Sequence, residues 1–361
     1  MEKIIKRNST IDAFRVFAIF GVIAIHVQSN TDNAEMVGRL FAGFRVPYFY
    51  IVSLFYLIIG LKKRKDEGVN NIINKIFYRL IIPYLVWTVI YVSLRLTKAV
   101  FLGEPSDIVF WKVLFYGDGA VQLYFIPNLL SMQAIIISIY LLLKGNLKNK
   151  LWGIVILTLV VAFLTIGLLE NCFAISKGFI FVGIPLFISL AFSATFFNSN
   201  KKNTVNIWMG ILIIVVTTVF NIIPFSFSFF GYTYISPFMA FGILLLCIGL
   251  FDQFRLPSAL TSATFGIYLS HVLFLEVFEF IISQSNIILY YDLTVKLLVT
   301  FSIFLSSLAG IFVMRKNRVL RFYLLGEKTT DTQKATSNLD YFVSCFRKIQ
   351  YLAVPKKNQK N

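Results

Sequence analysis

The sequence predicts an all-α, polytopic integral membrane protein of about ten transmembrane helices, each spanning helix needing roughly 20 apolar residues. Three observations carry that expectation: the composition, the succession of long apolar runs, and a lopsided distribution of Lys and Arg. The 361 residues are 58% hydrophobic and 17% aromatic, with only 14% charged. Soluble domains are roughly 45–50% apolar and about 25% charged. Mean hydropathy is +0.77. Together these values exclude a disordered chain, a collagen-like repeat and an ordinary soluble enzyme.

The apolar runs fall at residues 11–30, 46–61, 77–97, 123–143, 151–170, 179–197, 205–223, 234–251, 263–282 and 293–314. They are rich in Phe, Ile and Leu and lack two-residue alternation, so they read as helices rather than barrel strands. The first run follows a basic start, is too long for a signal-peptide core and has no Ala-x-Ala exit, so no cleavable signal is expected. With the N-terminus placed inside, 26 Lys and Arg fall on the inner side and seven outside (Arg39, Arg45, Arg95, Lys98, Lys112, Lys177 and Lys296). Arg15 lies within the first run. This bias places both termini in the cytoplasm. It also explains the net charge of +17 without nucleic acid as a partner.

Between the third and fourth runs, residues 98–122 form the longest outer segment, with Asp107, Trp111 and Lys112 before Gly117-Asp118-Gly119. Residues 224–233 form an aromatic outer segment, suited to interface anchoring or to stacking on sugar rings. From residue 327 a basic tail begins polar and turns amphipathic (Tyr341, Phe342, Phe346 and Ile349 beside Arg347 and Lys348), as an inner-leaflet interfacial helix would. The expected organisation is a membrane domain over 1–326 and a cytoplasmic tail over 327–361. Cys172, Cys247 and Cys345 are far apart and outside any CxxC pair, so neither a disulfide framework nor a metal site is expected.

Ionisable groups inside a span cost about 2.5–3.5 kcal/mol each on insertion scales. The first run nevertheless carries Asp12, Arg15 and His26. Arg15 and His26 are eleven positions apart, which returns them to within about 20° on a helix, some ~16 Å apart along its axis. Asp12 is three positions before Arg15, within reach of an ion pair. Blander roles exist for each taken singly. Asp12 can close a capping box begun at Ser9, Arg15 can snorkel to inner headgroups, and His26 can sit at the outer interface. As a set, a neutral imidazole can take the proton of a hydroxyl attacking an acyl carbon. A guanidinium can bind phosphate or align a donor. Ion transport is equally compatible with that spacing.

Asp12-Ala-Phe-Arg15 followed by His26 resembles the opening signature of the membrane acyltransferase 3 family, in which an Arg, ten residues and a His share the first span. Val46-Pro-Tyr-Phe-Tyr-Ile-Val-Ser53-Leu-Phe55 resembles its Pro-x-Phe-Phe-x-x-Ser-Gly-Phe second span. Arg79-Leu-Ile-Ile-Pro83-Tyr84 is similar to its Arg-x-x-x-Pro-Tyr element. Gln122-Leu123-Tyr124-Phe125-Ile126 resembles its His-Leu-Trp-Phe-Leu element, and Phe265-Gly266-Ile267-Tyr268-Leu269-Ser270-His271 its late Gly-Ile-Tyr-Leu-x-His element. The five matches keep their order over about residues 8–320.

The resemblance implies a ten-helix enzyme of the bacterial cytoplasmic (inner) membrane. Such enzymes move an acyl group, most often acetyl, from cytoplasmic acyl-CoA to a hydroxyl of a cell-surface glycan or its lipid-linked precursor. Acyl-CoA is then a donor substrate, with no bound cofactor. The expected partners are that donor, the glycan acceptor and membrane lipids, a homo-oligomer being left open. Carried over, His26 is the catalytic base and Arg15 serves the donor. Asp12, Ser53, Arg79, Gln122, Tyr124, His271 and Glu276 are candidates for substrate binding, each with a plainer role in packing or topology. Leu54, Gln122 and Tyr124 depart from the family's Gly, His and Trp, which puts the acceptor and the mechanism in question. A transporter or flippase for a glycan, or a non-catalytic synthase subunit, is the competing reading.

Overall fold

The computed structural model describes residues 8–41, 43–63, 69–103, 108–143, 183–198, 201–222, 232–285 and 288–327. Asp107, the run at 151–170, most of the aromatic segment at 224–233 and the amphipathic tail lie outside the described residues.

Among the described residues the chain is helical throughout, without a strand. In order the helices are α1 Ser9–His26, α2 Asp32–Phe41, α3 Arg45–Lys63, α4 Val69–Ile76, α5 Ile82–Leu102, α6 Phe125–Leu142, α7 Ile184–Ala194, α8 Thr204–Ile222, α9 Tyr232–Gly249, α10 Ser258–Gln284, α11 Leu293–Lys316 and α12 Arg318–Leu325. Six stretches are long and apolar enough to cross a membrane: Ser9–His26, Arg45–Lys62, Val69–Phe101, Phe125–Leu142, Ser258–Gln284 and Leu293–Lys316. Shorter apolar helices occupy Ile184–Ala194, Thr204–Phe220 and Ile235–Gly249. Each coincides with a run read from hydropathy.

Helix α1 sits at the centre, packed against α2, α3, α9, α10 and α11. Both of its ends are fastened. At the Arg15 end its cap is Asn8, whose side chain accepts from the amides of Thr10 and Ile11 and donates to the Cys247 carbonyl. Thr10 Oγ1 donates to the Leu250 carbonyl and accepts from the Phe254 amide, and the Ser9 amide donates to Asp252. At the His26 end, Asn30 exchanges backbone and side-chain hydrogen bonds with Tyr291. A helix pinned at both ends holds its polar face at a fixed rotation and depth. We call these two ends inner and outer, following the charge bias.

Between α4 and α5 the backbone makes a π-helical turn over Phe77–Ile81. Its cause is local. Pro83 has no N–H to give the Arg79 carbonyl, and the Ile82 amide instead reaches back to Phe77. Such π turns recur at functional sites, and this one carries Arg79. A second π turn, Lys112–Tyr116, closes on Gly117 in a left-handed conformation. Helices α8 and α9 pack closely through Gly210 and Gly242, where an added Cβ at Gly210 would come 2.7 Å from the Gly242 carbonyl oxygen. Leu54, which departs from the Gly of the resembled motif, is fully buried within an uninterrupted α3.

Candidate active site

The chain has two histidines, and the fold brings them together. The rings of His26 on α1 and His271 on α10 have centroids 5.4 Å apart, tilted by 40°. His26 is half-buried, whereas His271 is entirely buried. His271 Nδ1 lies 2.7 Å from the Tyr268 carbonyl and 3.3 Å from that of Ile267. Carbonyls only accept, so Nδ1 carries the proton and Nε2 presents a lone pair. That Nε2 has no hydrogen-bond partner among the described residues.

Three side chains brace this turn of α10. The Tyr268 hydroxyl donates to the Gln122 carbonyl at 2.6 Å. Gln122 Nε2 donates to the Leu269 carbonyl at 3.3 Å, and the Tyr91 hydroxyl donates to the same carbonyl at 2.8 Å while accepting from the Leu273 amide. Gln122 is thus a buried strut behind His271, 1% exposed. Sequence reading missed Tyr91 altogether, because nothing distinguishes an aromatic buried for its hydroxyl from one buried for its ring.

Two cavities approach the histidine turn from opposite ends. The inner one, about 410 Å³, is lined by Arg15, Ser53, Arg79, Tyr268, Arg315 and Glu327, with apolar residues between them. Arg15 pairs with Asp12 at 3.6 Å and lies 5.9 Å from the Phe49 ring centre. Because Asn8 caps α1, Asp12 is left to serve Arg15. Arg315 grips both carboxylate oxygens of Glu327, at 3.1 Å from Nε and 2.6 Å from Nη2. Gly326 turns the chain back beneath Arg79 with φ of 64°, and a Cβ there would meet the Arg79 Cα at 2.8 Å. By charge bias alone Arg315 counts among the inner Lys and Arg, and by sequence Glu327 begins the tail.

The outer cavity is larger, about 1110 Å³, and Tyr124, Glu276, Tyr91, Val272, Arg95, Lys98 and Lys112 are among its walls. Gly117 shapes its floor. Its φ is 73°, and a Cβ would stand 2.5 Å from the Tyr124 amide nitrogen. Lys296 is 2% exposed and its Nζ donates to Ser29 Oγ at 2.6 Å. Arg45 is near enough to act electrostatically on both His26 and Lys296. Charge bias alone assigns these two cations to the outer side.

Of the sequence candidates, then, His26 and His271 meet. Arg15, Ser53 and Arg79 share the inner cavity, with Asp12 behind Arg15. Tyr124 and Glu276 share the outer cavity, and Gln122 lies in neither. Among the described residues no three His, Cys, Asp or Glu side chains gather as metal ligands would.

A helical membrane protein with a half-buried and a fully buried histidine side by side, between two opposed cavities that carry charged side chains, has the parts of a group-transfer enzyme. The Acyl_transf_3 family model, an acyltransferase domain, matches residues 8–316. The chain belongs to this family and is a membrane acyltransferase. No curated protein and no solved structure matches it.

Proposed function

We propose that the protein moves an acyl group, acetyl in the first instance, from cytoplasmic acyl-CoA to a hydroxyl of a cell-surface polysaccharide or its lipid-linked precursor, in a bacterial cytoplasmic membrane. One observation carries the reading. Helix α10 lines the inner cavity with residues from Thr261 to Tyr268 and the outer cavity with Val272 and Glu276, and His271 lies between the two sets. Tyr268 and Val272 are separated by only about 6 Å of helix rise. In this reading a thioester from one side and a hydroxyl from the other meet at the histidine pair.

In this mechanism Arg15 and Arg79 hold the anionic donor in the inner cavity, their planar forks suited to phosphate oxygens. His26 takes the proton as the hydroxyl oxygen bonds the thioester carbon. The carbon–sulfur bond breaks, and the proton passes from His26 to the departing thiolate. His271 offers its Nε2 lone pair beside the His26 ring, a means of holding the base in one tautomer.

The test measures base-labile O-acyl esters on surface polysaccharide by proton NMR, before and after mild alkali. Cells with the intact chain, without it, and with His26→Ala are compared. Esters found only with the intact chain support the reading, and the shifts name the acyl group and sugar position. Unchanged ester content with reduced polymer export favours a transporter or synthase subunit instead.

A further inference from the structure

Lys and Arg are scarce on the side that the charge bias assigns to the exterior, where seven occur. Three of those seven, Arg95, Lys98 and Lys112, line the outer cavity. They converge from two elements. Tyr91, Leu94, Arg95 and Lys98 follow the spacing of one helix face on α5, while Lys112 comes from the π turn across the cavity. Topology disfavours cations here, so their gathering around one cavity needs another cause.

The acidic residues nearby do not consume them. Asp118 and Glu276 also line the cavity, and Glu279 is close enough to Lys98 to feel its charge. Among the described residues no carboxylate forms an ion pair with Lys98 or Lys112 within 4.0 Å. Arg95 spends one N–H on the backbone carbonyl of Asp118, at 2.6 Å, rather than on its carboxylate. Lys98 and Lys112 thus line the cavity without a carboxylate ion pair among the described residues. Tyr116 and Tyr124 add aromatic surface of the kind that packs on sugar rings, and Glu276 adds a hydroxyl acceptor.

We infer that the acceptor glycan carries an oxyanion, either a sugar carboxylate or a phosphodiester, which Lys98 and Lys112 bind while its neighbouring hydroxyl is presented to the histidine pair. This inference rests on the acyl-transfer reading and names the substrate class of that same site.

The test separates binding from chemistry by using the full-length chain with His26→Ala in nanodiscs of zwitterionic lipid. The ligands are matched oligosaccharides: neutral, glucuronate-bearing, and glycerol-phosphate-linked. At least one anionic series binds ten-fold or more tightly than the neutral one, and added salt erodes that preference. In the K98Q/K112Q background the preference shrinks to within about twofold, while the K98R/K112R pair retains it. Unimpaired binding of a desulfo-CoA analogue reports that each variant is folded. Equal binding of neutral and anionic oligosaccharides overturns the inference, as does a preference that survives in K98Q/K112Q. Tight binding of free glycerol phosphate without binding of either anionic oligosaccharide also overturns it, in favour of a lipid-headgroup site. The acyl-transfer reading fails separately, if the purified wild-type chain neither hydrolyses acetyl-CoA nor transfers its acetyl group.

Discussion

The inner and outer cavities differ in how their charges are held. The inner cavity is small and its cations are committed: Arg15 to Asp12, Arg315 to Glu327, with Arg79 set on a π turn. The outer cavity has more than twice the volume, and its lysines lack such partners among the described residues. A guanidinium fixed by a carboxylate presents its remaining donors in one direction, which suits a ligand that is always the same. Lysines on flexible stems suit a ligand of constant charge and variable shape. The contrast fits a shared donor on one side and a chain-specific acceptor on the other.

The largest effect is expected at the histidine pair that the proposed mechanism places between the two cavities. His26→Ala lowers the rate of acyl transfer by about 10³-fold, within the range of general-base catalysis, with the variant still inserted and monodisperse. Labelled acetyl transfer by the purified chain measures it. A rate within twofold of wild type removes His26 from the chemistry and leaves both cavities without a common centre.

His271→Ala follows, with an expected loss of about 10- to 100-fold in kcat, smaller because the proposed role is to orient the base through its Nε2. Little change in the KM of either substrate is expected. A selective rise in acceptor KM would move His271 from the centre to the outer site.

Arg15→Ala sharpens the comparison from the inner side. KM for acetyl-CoA rises about ten-fold, equivalent to about 1.4 kcal/mol, with acceptor KM unchanged. Initial rates over a grid of both substrates separate the two constants. Equal rises in both would mean that Arg15 holds α1 in place rather than the donor.

Gly117→Ala tests the outer side. The left-handed φ and the approach of the Tyr124 amide predict a destabilisation of about 1–3 kcal/mol, read as a lower Tm in detergent. Acceptor KM worsens while acetyl-CoA binding holds. Asn8→Ala gives the smallest effect. Loss of the α1 cap costs about 1 kcal/mol and touches neither cavity directly.

The transmembrane helices were legible because hydropathy is a local property and the bilayer sets their length. Described helices such as Thr204–Ile222 and Leu293–Lys316 lie within a few residues of their apolar runs. Arg15 and His26 were legible as one face because a single helix joins them. The partnership of His26 with His271 was not, since 245 residues separate the two and no periodicity links separate helices. Glu327 shows the same limit from the other side. Its polar neighbours in sequence suggested a tail, whereas its bonds to Arg315 place it in the inner cavity wall.

By itself the sequence determined the all-helical membrane class, the polar face of α1 and the candidates on it, because helix period and transfer cost act residue by residue. Tertiary structure alone decided that α1 is pinned at both ends, that the two histidines meet, and that one turn of α10 divides an inner from an outer cavity. Those facts depend on which helix lies beside which. That choice is made by packing and by hydrogen bonds such as Tyr91 to Leu269, formed between groups that a linear reading has no means of pairing.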